Sequence, residues 1–260
     1  MAFETLLTEV DGAAFVITMN RPAKRNAMSI KMTQEIADAC RVAEDDPAVR
    51  GVIITGGDTF FSAGADLNEA RAIKSFTDAF DHMKAWETLT DTIENLKKPV
   101  IAAVEGFCIT GGWELAMACD IRVAGDGASF MLTGSRIGTV PGGGGTQRLP
   151  RDVGLGRALE IHFAAEPIDG KEAYRIGAIN RLVAKGGALT EAKKMIKGYE
   201  KRAPLSLAMA KRAVRAGMQM DMKSALEYER FLVTAVYGTE DRKEGISAFL
   251  EKRDPQFKGR

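Results

Sequence analysis

The feature that most constrains the fold is a set of short apolar runs, rich in valine and isoleucine, in the first half of the chain. They are AFVITM at 14–19, VIIT at 52–55 and VIAAV at 100–104. Runs of this length without polar alternation are typical of strands that are buried on both faces of a mostly parallel sheet. Because helices join such strands, the chain is expected to be an α/β protein.

Helical patterns fill the intervals and continue beyond the last clear strand signal. After the first run, apolar residues recur along one helical face behind Ser29, a suitable N-cap. A second helix is expected from about Phe76 to Leu96, because Pro99 follows. Three later segments, 190–202, 205–216 and 224–237, also have helical spacing. We predict a core over residues 1–195 and a helical region over residues 196–260.

Composition and charge exclude several classes of partner. The 260 residues include 36 basic and 35 acidic side chains, with a formal net charge of +1. Without a basic stripe or an acidic tail, nothing favours nucleic acid or a membrane surface as a partner. The N-terminus carries Glu4 and Glu9 where a secretory signal would be basic and then apolar. No apolar run approaches the roughly 20 residues that cross a bilayer. We expect a soluble, cytoplasmic protein.

Several familiar sites are disfavoured by their spacing. Three cysteines without C-x-x-C spacing and two isolated histidines predict neither a disulfide framework nor a metal site. The glycine cluster PGGGGTQR at 141–148 lacks the Lys-Ser/Thr ending of a phosphate-binding P-loop. GSRIG at 134–138 resembles a nucleophile elbow only superficially, and neither histidine has a clear claim to be its base.

Two turns after predicted strands could bind a ligand through backbone groups. FFSAGADL at 60–67 follows one strand, and ITGGWE at 109–114 follows another. If Gly111 and Gly112 begin a helix, their N–H groups are unpaired and carry the positive end of its dipole. Two such turns side by side would offer two N–H donors to a developing oxyanion. Ordinary strand-to-helix turns are the alternative.

Glu114 is the one charged residue in the apolar helical segment that follows the second turn. A buried, unpaired carboxylate is costly, so the pKa of this group is expected to rise. One interpretation is an ion pair with an arginine or lysine from elsewhere in the fold. The other is a tuned acid/base beside the oxyanion turn.

Five segments together resemble the crotonase (enoyl-CoA hydratase/isomerase) superfamily. They follow the family's order over nearly the whole chain: NRPAKRNAMS at 20–29, FSAGADLNE at 61–69, KPVIAAVEGFCITGGWELAMACDIRVA at 98–124, IGTVPGGGGTQRLPRDVG at 137–154 and EDRKEGISAFLEKRDPQF at 240–257. The resemblance implies a ββα spiral with a C-terminal helical region that builds a homotrimer or a hexamer. It also implies an acyl-CoA substrate, with coenzyme A as part of that substrate and no separate cofactor or metal.

The resemblance assigns roles to individual residues. The N–H groups of Ala65 and Gly111 match the oxyanion hole for the thioester oxygen, and Glu114 matches one of two glutamates that hold a water in hydratases. The candidate substrate contacts are Lys24, Arg25, Ala27, Ala63, Gly64, Asp66, Leu67, Asn68, Trp113, Gly134 and Lys252.

For some of these contacts a structural role is the alternative. Lys24, Arg25 and Lys252 could be solvated surface charges, and Asp66 is expected to hold its loop. Trp113 could line the acyl pocket, but packing on the far side of its helix is favoured, because adjacent helical positions point about 100° apart.

The sequence departs from the family pattern at Gly134, which takes the place of the second glutamate. Since losing a positioned acid/base typically costs about 10²- to 10⁴-fold in rate, an efficient hydratase would need a substitute. A water or small anion in the space that Gly134 vacates could serve, as could a polar group on the substrate.

We expect an enoyl-CoA hydratase with Glu114 as the principal acid/base. An isomerase needs only one base, but the best-known isomerases of this family keep their carboxylate at the Gly134 position. A decarboxylase or a thioester hydrolase would use the same oxyanion hole. The non-enzymatic alternative is an acyl-CoA-binding protein that has lost catalysis.

Overall fold

The structure is a computed structural model that describes residues 3–260. Its strands are β1 (Leu6–Asp11), β2 (Ala14–Met19), β3 (Gly51–Thr55), β4 (Val100–Val104), β5 (Phe107–Ile109), β6 (Ile121–Gly125), β7 (Ser129–Met131), β8 (Ile168–Asp169) and β9 (Arg181–Val183). Its α-helices are α1 (Ile30–Asp45), α2 (Leu67–Ala72), α3 (Phe76–Asn95), α4 (Gly111–Ala118), α5 (Gly145–Val153), α6 (Leu155–Ala164), α7 (Gly170–Arg175), α8 (Ala188–Tyr199), α9 (Pro204–Gly217), α10 (Met222–Tyr237) and α11 (Glu240–Glu251). Short 3₁₀ helices occupy Pro22–Lys24 and Gly134–Ile137.

Within residues 3–260, the main sheet has six strands in the order β1-β2-β3-β4-β6-β9. Only β1 runs antiparallel to its neighbour, and the other pairs are parallel. Every residue of β3 and β4 is buried, as the continuous apolar runs predict. The expectation of an α/β protein with a mostly parallel sheet is therefore confirmed.

Helices cover both faces of this sheet. On one face, α1 and α3 pack with α4, and Ser29 caps α1 by accepting the N–H of Met32 at 3.2 Å. On the other face, Ile196 of α8 is fully buried against the core that includes Ile53 and Ile101. The predicted boundary between residues 195 and 196 thus falls inside α8, and residues 1 and 2 lie outside the described part of the chain. The division into two regions stays a prediction.

A second sheet of three strands, β5-β7-β8, holds the turns that precede α2 and α4. Ser62 forms an isolated bridge with Cys108 of β5, and Ala65 forms another with Met28. The first bridge brings the turn after β3 against β5, and the second brings that turn against the segment before α1. The C-terminal ends of successive strands thereby meet at one side of the main sheet.

The C-terminal helices are joined to the core by charged groups. Lys211 and Arg215 of α9 both lie 2.8 Å from the carboxylate of Asp120, just beyond the end of α4. Beyond them, α10 and α11 are largely exposed along their length. None of the helices within residues 3–260 combines the length and the apolar character needed to span a membrane.

Candidate active site

Two backbone N–H groups lie together where the turn after β3 meets the start of α4. A Cβ atom added to Gly111 would lie 3.1 Å from the backbone nitrogen of Ala65. Neither the Ala65 N–H nor the Gly111 N–H has a hydrogen-bond acceptor in the part of the chain that the structure describes. Gly111 is the first residue of α4, so its N–H belongs to the unpaired group at the helix N-terminus. The two turns therefore bring the two candidate N–H donors close together.

The segment at 24–28 is hydrogen-bonded to the turn that carries Ala65. Arg25 accepts the N–H of Ala63 at 3.0 Å, and the N–H of Met28 donates to Gly64 at 2.7 Å. Ala27 is half-buried between these contacts, while the side chains of Lys24 and Arg25 are exposed. The structure thus brings the two segments of candidate coenzyme A contacts together and leaves both cations available to a ligand.

Asp66, Leu67 and Asn68 form the start of α2. Asp66 is buried and caps this helix by accepting the N–H of Asn68 at 3.0 Å, and it pairs with Arg21 at 3.1 Å. This holds the loop as the sequence predicts, whereas the side chains of Leu67 and Asn68 are exposed. Lys252 lies at the end of α11, and no hydrogen bond or ion pair within residues 3–260 joins its side chain to the other candidates.

Glu114 lies one turn into α4 and is 3 % exposed. Its Oε1 accepts the N–H of Gly145 at 2.8 Å, and no lysine or arginine among the described residues forms an ion pair with it. Burial raises the pKa of Glu114 to about 7, against the lowering effects of the Gly145 and Gly143 N–H groups and of the Arg148 charge. Of the two interpretations of Glu114, the geometry supports a carboxyl poised near neutrality.

The glycine cluster at 142–145 contacts the Glu114 carboxyl. Comparing this cluster with phosphate-binding loops did not predict that contact. A Cβ atom on Gly143 would lie 3.2 Å from Cδ of Glu114, and one on Gly145 would lie 3.1 Å from Oε1. Arg148 donates to the carbonyl of Gly143 at 2.8 Å and pairs with Glu94 at 2.7 Å. Side chains at these positions would crowd the carboxyl, and Arg148 fixes the loop.

Trp86 is a further site residue that the sequence did not indicate. Its indole reaches from α3 to both halves of the site: a Cβ atom on Gly111 would lie 2.5 Å from Cη2, and one on Gly143 would lie 3.0 Å from Cε3. Trp86 therefore forms a wall beside the free N–H groups and the carboxyl. An open cavity of about 560 Å³ next to the glycine loop is lined by Phe80, Met83 and Arg148, among others.

Trp113 is not part of the site surface. It is fully buried, and its ring packs against Phe130 with 5.4 Å between the ring centroids. This is the packing role that the sequence favours for Trp113.

The position of a side chain on Gly134 is occupied by neighbouring residues. A Cβ atom there would lie 2.8 Å from the carbonyl oxygen of Thr139 and 2.9 Å from Cδ of Pro141. The turn at 139–141 therefore closes over the buried Gly134. Backbone atoms thus fill the place where a Gly134 side chain would begin, which argues against a water or an anion at that point. What replaces the second carboxylate stays a prediction.

Comparisons with known proteins show which family the chain resembles. A family model described as Enoyl-CoA hydratase/isomerase matches residues 9–260. The crotonyl-CoA hydratase of Syntrophomonas wolfei is 40% identical over 99% of this chain and 99% of that protein. A probable mitochondrial enoyl-CoA hydratase of Dictyostelium discoideum is 38% identical over 98% of this chain and 91% of that protein.

Solved structures extend the likeness to the whole fold. The enoyl-CoA hydratase of Bacillus anthracis superposes with a TM-score of 0.93 at 34% identity, over 99% of this chain and 100% of that chain. The expected crotonase-like fold is thereby confirmed. The chain belongs to the enoyl-CoA hydratase/isomerase family.

Proposed function

We propose that this chain hydrates 2-enoyl-CoA thioesters with Glu114 as its single acid/base. The observation that carries the proposal is a buried carboxyl with a pKa of about 7 on the helix whose first N–H is free beside that of Ala65. Family membership and the names of relatives at 38% to 40% identity support the same activity.

The two free N–H groups would bind the thioester oxygen. As water attacks the β-carbon, charge develops on that oxygen, and donors already fixed in place stabilise it without reorganising. Gly111 adds the positive end of the α4 dipole to its own N–H. Burial of Gly111 strengthens the interaction, because little water competes for the oxyanion.

Glu114 would move the proton in both steps. Its ionised carboxylate accepts a proton from water, the hydroxyl adds to the β-carbon, and the double-bond electrons move to the thioester oxygen. The proton then passes from Glu114 to the α-carbon, which restores the thioester carbonyl and the carboxylate. One water is consumed and no net proton is gained or lost. A pKa near 7 suits a group that must both accept and donate at neutral pH.

The turn at residues 63–66 and the segment at 24–27 would hold the coenzyme A part of the substrate. The exposed cations of Lys24 and Arg25, beside backbone that is hydrogen-bonded to Ala63, support contacts with its phosphates. Lys252 is proposed for the same purpose from its position in the family motif.

We also infer that the chain forms a trimer or a hexamer through its C-terminal helices. Phe231 of α10 and Phe249 of α11 are 80% and 83% exposed. Large apolar side chains that are exposed to this degree favour burial against another copy of the chain. Light scattering of the purified protein would measure the mass, and a monomer would overturn this inference.

Isomerisation of the double bond is the second candidate, because a single carboxyl such as Glu114 suffices to move a proton between two carbons. Both reactions can be followed with crotonyl-CoA and a 3-enoyl-CoA. We expect hydration by the native protein and a loss of at least about 10²-fold in kcat for Glu114→Gln, with little change in KM.

Glu200→Gln is the matched control, since Glu200 is exposed at the end of α8. Unchanged turnover in Glu114→Gln would overturn the role of Glu114. Isomerisation without hydration by the native protein would select the second candidate.

A further inference from the structure

Thr110 has an unusual backbone conformation directly before the free N–H of Gly111. Its φ is 36° and its ψ is −100°. Glycine adopts positive φ readily, but a β-branched residue does so rarely because its side chain crowds the backbone. Among residues 3–260, the non-glycine residues with positive φ are Arg25, Asn26, Thr110, Ala165 and Lys252, and Thr110 alone is β-branched. A conformation of this kind persists only where the surroundings enforce it.

Three hydrogen bonds tie Thr110 to β7 and the residues that follow it. The Thr110 N–H donates to the carbonyl of Met131 at 2.8 Å. The Thr133 N–H donates to Oγ1 of Thr110 at 2.9 Å, and the two Oγ1 atoms lie 2.8 Å apart in a hydroxyl–hydroxyl hydrogen bond. Two of these bonds are made by the Thr110 side chain. This side chain therefore crowds the backbone and also makes the hydrogen bonds that hold the backbone in its unusual conformation.

The conformation of Thr110 fixes the direction of the Gly111 N–H. The peptide plane between the two residues is set by ψ of Thr110, and the bond is trans. The Thr110 carbonyl accepts the N–H of Glu114 at 2.8 Å and therefore points along α4. In a trans peptide the Gly111 N–H points the opposite way, out of the N-terminal end of the helix. A change in ψ of Thr110 would rotate both groups together.

We propose that Thr110 and Thr133 are positioning residues, whose paired hydroxyls hold the turn that aims the Gly111 N–H at the thioester oxygen. This rests on the proposed function, since it assigns the Gly111 N–H to an oxyanion. Thr133 directly precedes Gly134, the position at which this chain lacks the second carboxyl of the family pattern. Neither hydroxyl is assigned a proton-transfer step.

Thr133→Val removes the hydroxyl while keeping the shape of the side chain and the backbone N–H. We expect kcat for crotonyl-CoA hydration to fall about 10- to 100-fold, because a misaimed donor loses transition-state stabilisation, with KM changed less than about twofold. Thr110→Ser should keep most of the activity. Thr139→Val, on an exposed threonine of the same loop, is the matched control and should match the native protein.

The double variant Thr110→Gly/Thr133→Val separates a positioning role from any other. Glycine at position 110 adopts a φ of 36° readily and has no side chain for the Thr133 hydroxyl to bind. Thr133→Val should therefore change kcat less than about twofold in the Thr110→Gly background. Full native activity in Thr133→Val would overturn the proposal. So would an equal loss in both backgrounds, because Thr133 would then act independently of Thr110.

If the native protein hydrates no substrate, the proposed function is wrong. Ligand binding can then still test the positioning role of the two threonines. Acetoacetyl-CoA forms an enolate that places negative charge on the thioester oxygen, whereas butyryl-CoA does not. Thr133→Val should weaken acetoacetyl-CoA binding about 10-fold and leave butyryl-CoA binding unchanged. Equal weakening of both, no weakening, or no binding of either by the native protein would contradict the positioning role.

Discussion

The backbone N–H of Gly145 donates a 2.8 Å hydrogen bond to Oε1 of Glu114, and no cation within residues 3–260 pairs with this carboxyl. An N–H favours the ionised form, while burial opposes it and has the larger effect. The result is a carboxyl whose two protonation states are close in free energy at neutral pH. An arginine in place of the glycine loop would have fixed the carboxylate in its charged form.

Glu114→Gln is predicted to stabilise the protein at alkaline pH. Burial raises the pKa of Glu114 from 4.5 to about 7, so between these values the unfolded chain has lost a proton that the folded chain retains. Stability therefore falls as pH rises through this window, by roughly 3 kcal/mol at pH 8. Glutamine keeps an acceptor for Gly145 without this cost. Urea unfolding at fixed protein concentration should show that the free energy of unfolding of the variant rises relative to that of the native protein from pH 5 to pH 8.

The rate of hydration is predicted to rise with pH through about 7. Glu114 must be ionised to accept the proton of water, and burial sets its pKa at about 7. Below that value, kcat/KM should fall about tenfold per pH unit, since the ionised fraction falls in that proportion. A profile that is flat or falling between pH 6 and pH 8 would contradict Glu114 as the base.

Gly111→Ala is predicted to impair both activity and stability. The added Cβ would lie 2.5 Å from Cη2 of Trp86 and 3.1 Å from the Ala65 nitrogen, so the indole or the turn must move. We expect at least about a 10²-fold loss in kcat, as for a lost oxyanion donor. Gly156→Ala in α6 is the control: its Cβ meets nothing within 4 Å, so stability should rise by about 0.5–1 kcal/mol with unchanged activity. Equal activity of both variants would count against the Gly111 N–H.

Much of the scaffold could be predicted from local patterns, because its signals lie within single segments. The runs at 14–19 and 100–104 became β2 and β4 with the same bounds, and α3 ends at Asn95, shortly before Pro99. The burial of Glu114 also followed from its neighbours in α4. Each of these features depends on residues within about one helix or strand.

The rest of the site depends on contacts between distant segments, which a single sequence does not encode locally. Nothing around Trp86 distinguishes it from other apolar residues of α3, yet its ring reaches Gly111 and Gly143. The glycine cluster indicated a tight turn but not which group it would enclose. The filled space at Gly134 depends on how the turn at 139–141 folds back, which residue type alone does not reveal.

Trp86→Leu is predicted to shift the preference of the enzyme toward larger acyl groups. The indole lies against both Gly111 and Gly143, so shortening it opens room beside the reacting carbons. We expect kcat/KM for long or branched 2-enoyl-CoA esters, relative to crotonyl-CoA, to rise about tenfold, as one or two methylene groups are accommodated. Phe76→Leu, on an 84% exposed residue of α3, should leave the ratio unchanged. An unaltered ratio in Trp86→Leu would place the acyl group elsewhere.

Gly134→Glu is predicted to destabilise the protein without speeding hydration. Its Cβ would lie 2.8 Å from the Thr139 oxygen and 3.1 Å from Cα of Val140, which are backbone atoms that move only if the turn rearranges. Overpacking of this kind costs about 1–3 kcal/mol, which should lower Tm by roughly 2–12 °C. Ser135→Glu, on the exposed neighbour, is the control: it loses only a hydrogen bond to the His162 carbonyl, so it should lower Tm less than Gly134→Glu and leave activity unchanged. If Gly134→Glu instead keeps its Tm and hydrates crotonyl-CoA at least about tenfold faster, the turn is pliable and the missing second carboxyl limits the native rate.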